Sequence, residues 1–140
     1  MKKLFVLGKI LKSDSRSIAV VGARKMTARG RRLTSLFVRK LAKAGFTIVS
    51  GLAIGVDTVA HESALKAGGR TIAVLGSGID IIYPYSNKDL AERIAKSGAV
   101  VSAFPKGTRP LGKNFLARNR IIVGLSKAVL VIEGARRSGT

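Results

Sequence analysis

The chain has 140 residues, 46% of them hydrophobic, and its 26 Lys and Arg against seven Asp and Glu give a net charge of +19. This length suits one domain with a buried core, and the hydrophobic content excludes a disordered chain. The apolar runs are far shorter than the roughly 20 residues that cross a bilayer, and the lack of cysteine excludes disulfides and thiolate metal sites and fits a reducing cytoplasm.

The excess of cations favours a polyanionic partner, either nucleic acid or an anionic membrane surface. A membrane-binding helix would need an aromatic apolar face, but the chain has no Trp and only 5% aromatic residues. The composition therefore favours nucleic acid and no membrane, although charge alone says nothing about specificity.

In chain order, short apolar runs typical of buried strands alternate with stretches in which apolar residues recur every three or four positions, as in helices. The apolar residues between positions 4 and 11 predict an added strand or a cover. Five strands are predicted at residues 18–21, 46–49, 71–75, 100–102 and 128–132. Four helices are predicted at residues 27–44, 56–67, 87–96 and 114–125, with Thr27 capping the first and Ser86 or Asn87 the third. This order predicts an α/β fold with a parallel sheet and helices on both of its faces.

Glycine follows four of the five predicted strands, at the edge of a parallel sheet where ligands bind. Glycine there lets a ligand approach backbone amides, and the N-termini of the following helices stabilise anions. These glycines are Gly22, Gly51, Gly55, Gly76, Gly78, Gly134 and Gly139. The first is followed by five cations, Arg24, Lys25, Arg29, Arg31 and Arg32. No dinucleotide-binding fingerprint and no Walker motif is present, so we expect no cofactor.

A second basic segment, FPKGTRPLGKNFLARNRIIVG, spans residues 104–124. Its cations surround a single aromatic ring, Phe115, and Asn119 lies between two arginines. Cations for phosphates beside an aromatic surface for a base are typical of single-stranded nucleic-acid binding. Phe115 fits a core position equally well. Arg118 and Arg120 cannot share one helix face, so one is expected to contact the ligand and the other to support it.

The acidic residues form no catalytic arrangement, and we expect neither an enzyme nor a metal site. Asp57, at a helix start, is expected to bind backbone amides, and Asp80 beside a glycine turn is expected to be structural. His61 lies one helical turn after Asp57, so the two could pair. Glu133, at the end of the fifth strand, is expected to orient Arg24 or an arginine of the RNR segment.

Six stretches in order, VVGARKMTARG, IVSGLAIGVDTVAHESAL, GGRTIAVLGSGIDIIYPYSN, FPKGTRP, NFLARNRIIVGLS and VLVIEGARRSGT, resemble the DNA-processing protein A family, also called DprA or Smf. The resemblance covers nearly the whole chain. It implies a three-layer Rossmann-like fold that binds single-stranded DNA and helps to load the recombinase RecA during natural transformation. It implies no catalysis and no cofactor.

The family's phosphate-contacting turn matches Gly22, Ala23 and Arg24, and the next such turn matches Ser50 and Gly51. The chain departs from the family at Ala23, where Ser is usual, at Ala103, where Glu is usual, and at Leu116, where Pro is common. Motif matches and residue chemistry together predict one set of DNA-binding residues: Gly22, Arg24, Lys25, Ser50, Gly51, Gly76, Lys113, Phe115, Arg118, Asn119 and Arg120.

The chain is expected to be a single, incomplete Rossmann-like domain over residues 1–140, because it ends inside a family motif. Dimerisation and RecA contact in the family rely largely on the part beyond that point, so the sequence leaves both open. A sheet edge left uncovered would be a pairing or aggregation site. Two alternatives remain: a fragment that binds polyanions non-specifically, and a nucleotide phosphoribohydrolase of the cytokinin-activating type, whose proline-Gly-Gly-x-Gly-Thr turn this sequence lacks.

Overall fold

A six-stranded sheet forms the centre of the protein, whose structure, a computed structural model, describes residues 3–134. The strands are β1 (Phe5–Gly8), β2 (Ser17–Gly22), β3 (Thr47–Ser50), β4 (Thr71–Val74), β5 (Ala99–Ser102) and β6 (Ala128–Ile132). The helices are α1 (Ala28–Lys43), α2 (Val56–Lys66), α3 (Lys88–Ser97) and α4 (Gly112–Leu125). The predicted α/β fold is confirmed, while Gly139 and the rest of the predicted C-terminal loop, residues 135–140, lie outside the described residues.

The strand order is β1-β5-β4-β3-β2-β6, and β2 to β6 run parallel. Every residue of β3, β4 and β5 is buried, as expected for parallel strands covered on both faces. The added strand predicted near the N-terminus is β1, and it differs from the others by pairing antiparallel to β5. At the other edge of the sheet, β6 leaves Val129 and Val131 42% and 47% exposed.

The helices divide unequally between the two faces. One face packs against α1, α2 and α3 through clusters that include Val38, Ala60 and Ile94, and the other packs against α4 through Ile122. The sheet thus forms the middle of three layers. Because each helix after a parallel strand starts at the carboxyl edge, the loops after β2, β3 and β4 gather there with the beginning of α4.

Two of the predicted caps differ in outcome. Thr27 caps α1 as predicted, since its Oγ1 accepts a hydrogen bond from the Gly30 amide at 3.0 Å. Asn87 precedes α3 but makes no side-chain cap. Its Nδ2 donates instead to the Leu52 carbonyl and to Thr58 Oγ1, so it joins α3 to the loop after β3.

His61 is a structural residue of the core and does not pair with Asp57. Its Nε2 accepts a hydrogen bond from the Leu52 amide at 3.2 Å. Its Nδ1 lies 2.7 Å from Thr71 Oγ1, which donates its own proton to the Ile48 carbonyl, so Nδ1 carries the hydrogen. Complete burial, followed by the charge of a nearby arginine, lowers the pKa of His61 to about 3.

This arrangement predicts a specific pH dependence of stability. The unfolded chain binds a proton at His61 below about pH 6.5, whereas the folded protein keeps the ring neutral until about pH 3, so this stability is complete above pH 6.5 and is lost as the pH falls. Between pH 7 and pH 5 the loss amounts to about 2 kcal/mol. Urea unfolding at both pH values is expected to show this loss in the wild type and its absence in His61→Gln. Equal pH dependence of the two proteins would contradict the assignment.

Candidate functional site

A cleft of about 530 Å³ lies at the carboxyl edge of the sheet. The loop after β2 lines one side with Gly22, Ala23 and Arg24, and α4 lines the other with residues that include Phe115 and Asn119. Residues that are far apart in the sequence therefore meet in one place, including five of the predicted site residues: Gly22, Arg24, Phe115, Arg118 and Asn119.

The ring of Phe115 occupies the centre of this edge. It is half-buried, and it rests on Gly76, where an added Cβ would lie only 2.7 Å from a ring carbon. The guanidinium carbons of Arg24 and Arg118 lie 5.9 and 5.1 Å from the ring centroid. Two cations thus lie near the aromatic ring, at distances at which a ring face attracts positive charge. Gly76 therefore supports the Phe115 ring, and its lack of a side chain leaves the space that the ring occupies.

Arg118 lies beneath the site and is only 5% exposed. Its NH1 donates to the carbonyls of Gly51 and Val74 at 2.7 and 3.0 Å, and its Nε donates to Asn119 Oδ1. Burial lowers the pKa of Arg118, and the charge of Asp57 acts in the opposite direction. Of the two arginines in the RNR segment, Arg118 therefore has the supporting position.

Asp57 approaches the base of the cleft from the other side of the sheet. We call the buried residues there, Ser50, Gly51, Asp57 and Arg118, the floor of the cleft. As predicted, it binds backbone amides: Oδ2 accepts from Gly51 at 3.0 Å and from Ala53 at 3.3 Å. Burial raises the pKa of Asp57, opposed first by the charge of Arg118 and then by these hydrogen bonds. An added Cβ at Gly51 would lie 2.6 Å from Arg118 NH1 and 2.9 Å from Asp57 Oδ2, so only glycine fits between them.

Ser50 and Gly51 lie in this floor rather than on the open surface. The Ser50 side chain is fully buried and donates to the Val20 carbonyl at 2.6 Å. The amide of Gly51 is bonded to Asp57 and its carbonyl to Arg118. Contact of Ser50 and Gly51 with DNA stays a prediction, and in this structure their polar groups already bond to the protein.

The loop that carries Arg24 is held by a glycine of the next loop. Gly55 has a φ of 94°, and an added Cβ there would lie 2.4 Å from the carbonyl oxygens of Ala23 and Arg24. The Val56 amide donates to the Ala23 carbonyl at 3.1 Å. This close approach leaves the Arg24 side chain exposed at the mouth of the cleft.

Glu133 has a different role from the one predicted. Its carboxylate accepts from the amide of Thr27 at 2.8 Å and from the Thr27 hydroxyl, so it orients the start of α1 and neither Arg24 nor an arginine of α4. These two hydrogen bonds lower the pKa of Glu133, and Arg29 adds to the effect. The physical reason is that α1 has no acidic residue in its first turn, and its free amides and cations attract a carboxylate.

Lys25, Lys113 and Arg120 are exposed and lie outside the residues that line the cleft. Arg120 follows Arg118 by two positions, which turns it about 200° around α4. Their contact with DNA stays a prediction.

Sequence reasoning missed Tyr83, which is 43% exposed and has its ring centroid 5.8 Å from that of Phe115 at an interplanar angle of 52°. Tyr83 and Pro84 line a second, smaller pocket beside the cleft together with Ile54, which is 56% exposed. The sequence feature that could have identified Tyr83 is its position after the glycine-rich end of β4, because aromatic residues are few in this chain.

Over residues 3–134, the structure holds no group of three or more His, Cys, Asp or Glu side chains placed to bind a metal ion. In the same part of the chain, no helix is long and apolar enough to span a membrane.

The sheet order and the glycine-lined cleft define a Rossmann-like α/β domain with a cationic carboxyl edge. The family model for DNA recombination-mediator protein A matches residues 2–140, so the chain belongs to that family. It is 49% identical to Protein Smf of Synechocystis sp. in an alignment that covers 97% of this chain and 35% of that protein. It is 41% identical to DNA processing protein DprA of Bacillus subtilis, over 98% of this chain and 46% of that protein.

Solved structures show the same similarity. DNA processing protein A of Streptococcus pneumoniae matches with a TM-score of 0.91 and 43% identity, over 97% of this chain and 48% of that chain. DNA processing protein A of Helicobacter pylori, solved to describe its single-stranded DNA binding mode, matches with a TM-score of 0.91 and 37% identity, over 99% and 63%. The chain spans less than half the length of the curated relatives named here. A molybdenum cofactor binding protein of Rippkaea orientalis, 23% identical with a TM-score of 0.60, shares the fold.

The two arginines of the RNR segment of α4, Arg118 and Arg120, allow a direct test of the supporting role of Arg118. Arg118→Met leaves two buried carbonyls without their donor and removes the positive charge that offsets the burial of the Asp57 carboxylate, and is expected to lower the free energy of unfolding by about 3–5 kcal/mol. Arg120→Met removes the same charge from an exposed position, and is expected to change it by less than about 0.5 kcal/mol. Urea denaturation measures both, and equal effects would contradict the supporting role of Arg118.

Proposed function

We propose that this domain binds single-stranded DNA at the carboxyl edge of its sheet, with the backbone phosphates at Arg24 and a base on Phe115. The observation that carries the proposal is that the aromatic ring of Phe115 lies at the cleft, with its centroid 5.9 and 5.1 Å from the guanidinium groups of Arg24 and Arg118. Base stacking on an aromatic ring and ion pairing with phosphates are the two interactions that sequence-tolerant single-strand binders combine.

The position of the ring favours a single strand over a duplex. Phe115 is half-buried in a cleft, so a base must leave its neighbours to reach it, which costs little in a single strand and breaks a base pair in a duplex. Residues that read base edges in the major groove do so from a protruding helix, whereas α4 packs against the sheet. We therefore expect weak sequence preference.

Tyr83 extends the site in this proposal. Its ring faces Phe115 at a tilt, and its exposed part borders the smaller pocket that also contains Arg24. A second base, adjacent to the one on Phe115, can stack there. If five to seven phosphates are neutralised, the slope of log affinity against log salt is expected to be roughly −3.5 to −5.

The family description supports a wider role. A DNA recombination mediator needs a domain that holds the strand for a recombinase, and we propose that this domain does so, with RecA as the recombinase and the cytoplasm as the location. The alternative of a phosphoribohydrolase rested on a shared Rossmann-like scaffold, and Glu133 accepts hydrogen bonds from Thr27 at the start of α1. No described feature favours the enzyme over the DNA-binding function.

Substitution of the site residues tests the proposal. Arg24→Ala and Phe115→Leu are each expected to weaken binding of a labelled oligo-dT, Phe115→Leu by about 1–3 kcal/mol from lost stacking. A loss in Tyr83→Ala is expected from the same interaction. Fluorescence anisotropy with unlabelled single-stranded and duplex DNA as competitors measures affinity and preference together.

Arg93→Ala serves as the control, because Arg93 is half-exposed on α3, 3.7 Å from Glu62 in a surface ion pair. It is expected to bind like the wild type. The proposal is wrong if Arg24→Ala loses no more affinity than Arg93→Ala, or if single-stranded and duplex DNA compete equally, since bulk charge would then explain the binding.

A further inference from the structure

The exposed surface of α1 carries many positive charges, and none of them lines the cleft. The helix contains six cations and no acid: Arg29, Arg31, Arg32, Arg39, Lys40 and Lys43. On the same face of the sheet, α3 has three cations and two acids, and α2 has one lysine and two acids. Among the three helices on this face, the positive excess is thus concentrated on α1.

Helical geometry arranges most of these cations in a line. At 100° per residue, five of them fall within an arc of about 100°, on the side away from Val38 and Ala42, which pack against the core. We name them the α1 track: Arg29, Arg32, Arg39, Lys40 and Lys43. All five are exposed, and at 1.5 Å per residue they extend over about 21 Å.

The track is poorly compensated within the protein. Among residues 3–134, the two ion pairs are Arg70–Asp14 and Arg93–Glu62, and neither involves α1. Arg29, at the first turn, lies near the Glu133 carboxylate and lowers its pKa. Like charges spaced three or four residues apart destabilise a helix, as do cations at its N-terminus. A bound polyanion would remove this repulsion.

The track begins where the cleft ends. Arg24 lies at the mouth of the cleft, and α1 starts four residues later, held in place by the bonds between Thr27 and Glu133. A strand that leaves the cleft past Arg24 therefore meets Arg29 first and can continue along the helix. A line of cations at regular intervals fits a polymer with regularly spaced charges.

A membrane surface fits the track less well. Binding to lipid requires an extended apolar face beside the cations, whereas Val38 and Leu41 of α1 pack into the core. Leu36, within the arc of the track, and Phe37, beside it, are 36% and 42% exposed, and these two side chains alone do not form such a face.

We propose that the α1 track is a second contact surface for nucleic-acid phosphates, which extends the path of a strand bound at the cleft. The proposal rests on the proposed function for the direction of the strand, and on the charge pattern of α1 for the surface itself. It assigns to α1 a binding role that is separate from the stacking site at Phe115.

The test compares two matched triple variants. The α1 variant, Arg32→Gln/Arg39→Gln/Lys43→Gln, and the α3 variant, Lys88→Gln/Arg93→Gln/Lys96→Gln, each remove three exposed charges from a helix on the same face of the sheet. Glutamine keeps the helix propensity of the residues that it replaces. Circular dichroism and urea unfolding of both variants show whether the fold is kept. Binding is measured by anisotropy with oligo-dT of about six and about 20 nucleotides, lengths chosen around the usual site sizes.

For the longer oligonucleotide, the α1 variant is expected to lose about tenfold in affinity and to lower the salt slope by about 2, while binding to the shorter one changes less than about twofold. The α3 variant is expected to retain the wild-type slope. Equal losses in the two variants would overturn the proposal, as would equal losses for the two lengths. A larger effect of the α1 variant on anionic vesicles than on DNA would also overturn it, in favour of a membrane surface.

The cleft and the track can fail separately. If Arg24→Ala and Phe115→Leu bind both oligonucleotides like the wild type, the proposed function is wrong, whereas a reduced slope in the α1 variant would still support the track. If those two variants lose binding to the short oligonucleotide and the α1 variant keeps the wild-type slope on the long one, the cleft is supported and the track is wrong.

Discussion

The buried pair of Arg118 and Asp57 is the constraint on which the site depends. Arg118 comes from α4 on one face of the sheet and Asp57 from α2 on the other, and both bond to the backbone of Gly51 between them. Removing two charges from water is costly, and the hydrogen bonds to carbonyls and amides offset that cost. The pair therefore joins all three layers at the carboxyl edge, and it sets the position of Phe115, one turn before Arg118 on the same helix.

The alternation of apolar runs and helical periodicity was enough to predict the five parallel strands and four helices, because burial of both sheet faces leaves little freedom in the pattern. The direction of β1 could not be predicted in this way. The sequence of the four-residue strand β1 does not indicate which strand it pairs with. Its antiparallel partner, β5, lies about 95 positions later in the chain. Asn87 was similarly ambiguous, since a cap position does not exclude a long-range bond to Leu52.

For the site, the sequence identified segments that meet at the cleft but not the position of each residue in it. Ser50 and Gly51 were predicted to face phosphate, yet their polar groups are bonded below the surface. Spacing shows that Arg118 and Arg120 point apart, but only the packing of α4 decides which is buried. Glu133 was correctly placed at the end of β6. Its partner Thr27 could not be identified, because several polar residues at the ends of other elements were equally good partners in sequence. Such details depend on distances between elements, which periodicity does not contain.

The charges of this protein thus have two separate functions in the structure. Arg118 is buried, bonded and fixed, so it can position an aromatic ring but cannot respond to a ligand's position. Arg24 and the α1 track are exposed and can follow a flexible, charged chain. If one arginine both positioned the ring and contacted the strand, its buried charge would have to move each time the strand shifted. In the proposed function, this division lets the cleft select a ligand by shape, while the exposed cations supply attraction that depends on salt and hardly on sequence.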